Sequence, residues 1–83
     1  LDVSRLEDQI VRSEAALASA QARVKQAEAT ITEVRANLSR LHTVAKLSGG
    51  KVPSQAELES AEASLVRAQA DAVAAQAVVR EAE

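Results

Sequence analysis

The chain lacks cysteine, methionine and every aromatic residue, and it carries two glycines, one proline and one histidine in 83 residues. Each shortage removes a class of protein. Without Cys, and with His42 alone, the side chains that most often build nucleophilic or metal-assisted sites are nearly missing. The lack of Cys decides nothing about redox compartment in so short a chain. Without aromatics there is no platform for base stacking. The ten basic and twelve acidic residues alternate along the chain rather than forming a basic stripe, so nucleic acid is not an expected ligand. A membrane span needs about 20 consecutive apolar residues, and runs such as Ala72–Ala75 fall far short. The opening Leu1-Asp2, without Met, is expected to be the start of a segment of a longer protein, and no signal peptide is expected in it.

What remains is alanine and charge. Hydrophobic residues form 47% of the chain, and 19 of them are alanine, against eight Leu, ten Val and two Ile. So little bulk cannot enclose a globular core or a catalytic pocket. The abundance of Ala, Leu and interspersed charge instead marks long helices or coiled coil. No enzyme activity, cofactor or metal is expected.

The punctuation falls in one place, Ser48-Gly49-Gly50-Lys51-Val52-Pro53-Ser54. Helix one is expected over about 4–47, a tip loop over about 48–53 and helix two over about 54–83. Ser4-Arg5-Leu6-Glu7 reads as a capping box for the first helix and Ser54-Gln55-Ala56-Glu57 as one for the second. Gly49 suits the left-handed residue that ends helix one. Pro53 is placed to staple onto Leu58.

Seven-residue spacing supplies the architecture. Val3, Ile10, Leu17, Val24, Ile31, Leu38 and Ala45 take heptad position a of helix one, and Leu6, Ser13, Ala20, Ala27, Val34, Leu41 and Ser48 take d. Leu58, Leu65, Ala72 and Val79 with Ala61, Ala68, Ala75 and Ala82 do the same in helix two. A sustained heptad seam with a short connection predicts an all-α fold, an antiparallel two-helix coiled-coil hairpin with left-handed supercoil. Facing residue numbers then sum to 99 or to 106. The former puts Leu38 by Ala61, Val34 by Leu65 and Leu17 by Ala82, so that large mostly meets small, and it is preferred. It leaves Val3, Leu6 and Ile10 without a partner, which predicts fraying there or burial by another copy.

A second apolar stripe lies at positions b and f, away from the seam. On helix two it comprises Ala63, Val66, Ala70, Val73 and Ala77, and on helix one Val11, Ala15, Ala18, Ala22, Ala29 and Ala36. Alanine alone is explained by its helix propensity. The valines are not, and they point to lateral packing between hairpins. Other motifs carry less. Ser48-Gly49-Gly50-Lys51 lacks the spacing of a phosphate loop, with Val52 where Ser or Thr belongs. Glu57, Glu59 and Glu62 suit the positive end of a helix dipole better than a metal. Asp8 and Arg12 form a spaced surface pair worth tenths of a kcal/mol.

The tip resembles that of the membrane fusion proteins, the HlyD-like periplasmic adaptors. There a Leu four residues after an Arg is followed seven residues later by Ser. Leu47 and Ser54 stand at that spacing, followed by Gln55, Glu57 and Leu58; Thr43 stands in place of the Arg, with Arg40 one turn earlier as its substitute. The resemblance covers essentially the whole chain and implies a hairpin inserted between two lipoyl half-motifs, the first ending at Leu1-Asp2. It further implies a homo-oligomer, a hexamer in the intact protein, located in the periplasm and anchored to the inner membrane by segments outside this sequence. Its expected partners are a TolC-type outer-membrane channel at the tip and an inner-membrane transporter, as in efflux pumps and type I secretion, with ABC-type export favoured. The implied channel contacts are Arg40, Thr43, Leu47, Ser48, Gly49, Gly50, Lys51, Val52 and Ser54, the glycine backbone being free to pair with the partner. Two other readings stand beside it. One is a structural coiled-coil spacer or dimerisation arm. The other is the helical arm of an RNA-binding enzyme, which the acidic balance disfavours.

Overall fold

A computed structural model describes residues 2–83. It is an antiparallel helical hairpin built of α1, Val3–Leu47, and α2, Gln55–Ala82. The molecule is a rod, 73 × 14 × 12 Å. Forty-five residues at 1.5 Å each account for about 68 Å of that length. Its surface of 6350 Å² exceeds the roughly 4,700 Å² of a compact globule of this mass. The excess follows from having two helices and no third layer.

The helix ends show which sequence signals act. Asp2 caps α1, not Ser4: its carboxylate accepts from the Arg5 N–H at 3.3 Å, and Ser4 lies inside the helix. An Asp two residues upstream competes with Ser as an N-cap on equal terms, and it wins a further turn of pairing with Leu6 N–H on its carbonyl. The Asp2 backbone is extended, with φ −97° and ψ 94°, and Leu1 lies outside the described residues. For α2 the expected cap is present, with Ser54 Oγ accepting from Glu57 N–H at 3.2 Å. Pro53 is buried and Leu58 half-buried, as a staple between them requires. The Val52–Pro53 peptide is cis.

α1 ends in a Schellman arrangement. Gly50 N–H donates to Ala45 C=O at 2.8 Å and Gly49 N–H to Lys46 C=O at 3.4 Å. Both glycines have positive φ, 69° and 85°. A Cβ at either would meet no atom, so the requirement for glycine comes from the backbone conformation and not from crowding.

From Leu17 onward every a and d position of α1 is buried or half-buried, and so is every one in α2. The deepest side chains are alanines, Ala68 at 3% exposure and Ala20 at 4%. Two helices cannot wrap a leucine on all sides, whereas a Cβ pressed between close axes is covered by backbone. Ala20 also fixes the register. If facing numbers summed to 106, it would lie beyond the end of α2 and be bare; the sum of 99 places it against Val79. Val3, Leu6 and Ile10 then extend past α2 and are 61%, 50% and 57% exposed. The expected fraying is not found: the helix is continuous through them, held by its Asp2 cap and its own hydrogen bonds.

Candidate interaction site

The tip is formed where the two helix ends converge, and a single side chain organises it. The Ser48 hydroxyl donates to Val52 C=O at 2.9 Å and accepts from Val52 N–H at 3.1 Å, with Ala45 C=O at 3.3 Å as a second acceptor. Both backbone polar groups of Val52 are therefore held by one residue four positions earlier. Ser48 occupies a d position where an apolar residue belongs, and that departure was the sequence signal for its role.

The expectation of free backbone at the tip is corrected for its donors: the Gly49 and Gly50 N–H groups donate back to Lys46 and Ala45 C=O of α1, and the Val52 N–H donates to Ser48 Oγ. Ser54 is committed to its cap. Thr43 returns its hydroxyl proton to Ser39 C=O at 3.1 Å, which leaves its methyl as the more available surface. What the tip offers outward is side chains. Leu47 is 84% exposed, the most exposed large apolar residue described, with Val44 one turn before it and Val52 across the loop also exposed. Arg40 and Lys51 are exposed on the same end of the rod. Val44 was not singled out from sequence, because a g position beside the seam gives no reason to expect an open valine.

The lateral stripe is exposed throughout. Ala63, Ala70 and Ala77 face solvent, and Val66 and Val73 are 64% and 60% exposed. On α1 the outer alanines Ala15, Ala18, Ala22, Ala29 and Ala36 and Val11 are open as well. The hairpin thus carries one apolar strip down each outer side and an apolar residue at its end.

Among the described residues no group of three or more His, Cys, Asp or Glu is placed to hold a metal ion. Neither is any helix among the described residues long and apolar enough to cross a membrane. The grooves along the rod are shallow; the one beside His42 is lined by Arg35, Leu38, Ser39, Thr43 and Lys46, with no carboxylate among them. Comparison with protein-family models, with curated proteins and with solved structures finds no match.

Proposed function

We propose that this hairpin is the arm of a periplasmic adaptor, non-enzymatic, which docks its tip on a TolC-type outer-membrane channel and packs side by side with copies of itself. The observation that carries the reading is Leu47. A leucine 84% exposed at the end of a rod contributes little to the hairpin, and with Val44 and Val52 exposed beside it makes the tip apolar. Burial of about 25 cal/mol per Å² on docking supplies a reason for it. Leu47 and Ser54 also hold the spacing of the membrane fusion protein tip, on a loop whose shape Ser48 and the two glycines fix in advance. A rigid loop loses little entropy on binding. In this reading Arg40 and Lys51 add charge at the rim, Thr43 stands where the family has Arg, and an inner-membrane transporter engages other domains.

The test is Leu47→Asp in the full-length protein. Helicity and melting of the hairpin are expected to stay unchanged, because the residue is 84% exposed, while export is abolished as a carboxylate would be desolvated against the channel. Charge reversal at Arg40 is expected to weaken assembly less, and in a salt-dependent way. Normal export with Leu47→Asp at wild-type adaptor levels overturns the docking reading.

A second reading is favoured by one observation. The tip satisfies most of its own backbone donors, as an inert turn does, which suits a coiled-coil spacer. A spacer tolerates Leu47→Asp without loss.

A further inference from the structure

One flank of α1 changes character in its last two turns. Heptad position c carries Arg5, Arg12, Ser19, Gln26, Glu33 and Arg40, all polar, and then Leu47. Position g carries Gln9, Ala16, Arg23, Thr30 and Asn37, none of them large and apolar, and then Val44. Both series are broken at the same end of the rod. Arg40, Val44 and Leu47 are spaced i, i+4 and i+7, within about 60° of one another around the helix, and so form one ridge. All three are exposed, Val44 at 41%. The helix has no need of them there: valine is a poorer helix former than alanine, and Leu47 lies outside the seam.

The flank on the other side of the seam is unlike it. Arg35, Ser39, His42 and Lys46, at positions e and b, are all polar and all exposed. The tip therefore has one apolar flank and one hydrophilic flank. Charge, mixed over the rest of the rod, is of one sign here. Between Glu33 and Glu57 the formally charged residues are Arg35, Arg40, Lys46 and Lys51, all basic. Glu57 itself stands in the first turn of α2, where the positive end of that helix offsets its charge.

A helix that presents anchors at i, i+4 and i+7 is recognised by laying that ridge into a groove. Arg40 sits at one end of the ridge, about 10 Å along the axis from Leu47. Burial of its flank against a purely apolar surface would strip a cation of water without replacement, whereas a carboxylate on the rim of the groove supplies a charge-assisted hydrogen bond.

We infer that the tip docks by this one flank: the ridge of Arg40, Val44 and Leu47 lies in a groove of the channel that is apolar at its floor and acidic at its rim, while the His42 flank stays in water. This rests on the tip-docking half of the proposed function and adds to it the face used and the chemistry of the surface that receives it.

The test places a photo-reactive benzophenone amino acid at position 47, 44 or 42 of the full-length protein in cells. Positions 47 and 44 are expected to cross-link the outer-membrane channel in similar yield, and position 42 several-fold less. Arg40→Ala is expected to cut the yield from position 44 several-fold and Arg40→Lys to retain most of it, and the channel peptide attached at position 44 is expected to contain Asp or Glu. Without any probe, Val44→Glu is expected to lower export and His42→Glu to leave it unchanged. A position 42 yield equal to that of position 44, an undiminished yield with Arg40→Ala, or equal export defects from Val44→Glu and His42→Glu overturns the inference while docking itself stands. Absence of a channel cross-link from position 47 overturns the docking reading, and this inference with it.

Discussion

α1 contains two stretches with the same heptad pattern and opposite fates. From Leu17 to Ser48 its a and d residues are buried or half-buried against α2; from Val3 to Ser13 the same positions are open. Ile10 and Ile31 are the same residue at the same heptad position, one exposed and the other partly covered. The pattern states which face of a helix is apolar. It does not state how far the partner reaches. Helix continuity in the open stretch shows, in turn, that local propensity and an Asp cap suffice for helix while contributing no tertiary burial.

The comparison breaks most sharply at Leu38. Leu38→Ala opens space opposite Ala61 and is expected to cost about 2–4 kcal/mol, read as a fall in melting temperature. The same kind of truncation at Ile10 is expected to cost under about 0.5 kcal/mol, since that side chain is 57% exposed. If Ile10→Ala destabilised as much as Leu38→Ala, the open stretch would be covered by another copy in solution.

Next in size is Ala68→Leu. A side chain 3% exposed between close helix axes has no room for three more carbons, and overpacking of about 1–3 kcal/mol is expected by denaturant titration. Ala70→Leu, two residues on and facing solvent, is expected to leave stability unchanged in the monomer. That contrast separates seam from outer face within one helix turn, and equal effects would overturn the heptad assignment.

The tip gives a smaller effect. Ser48→Ala leaves both backbone groups of Val52 without their partner and is expected to cost about 1 kcal/mol by thermal melt. Ser54→Ala removes an N-cap at a similar cost, about 1 kcal/mol. Gly49→Ala places a Cβ on a residue with φ of 69°, for about 1–2 kcal/mol. Hydrogen exchange at Val52 N–H distinguishes the first of these from the other two, because only Ser48→Ala removes its acceptor.

Much of this was legible beforehand, and the misreadings have specific causes. The break at Gly49-Gly50 and the cap at Ser54 were readable because each is a local geometric demand that few residues meet. The first cap was misplaced because Asp2 and Ser4 are equally good candidates two residues apart, and sequence spacing alone does not rank them. The hydrogen bonds of Ser48 to Val52 were not read from sequence, because that partner comes near only once the chain has turned. Val44 stayed unnoticed for the converse reason: a position beside the seam is open or covered depending on what stands across from it.

The sequence by itself determined that there are two helices, that they pack by heptads, and that the turn between them is short. These follow from alanine-rich periodicity, from glycine where φ is positive, and from the scarcity of side chains large enough for a globular core. The tertiary structure decided the pairing register, the depth at which each residue lies and the length of α1 left uncovered. It also decided that alanines and not leucines are the most buried residues. The reason is geometric: with only two helices, nothing closes over a long side chain, and the space between the axes admits only a methyl group.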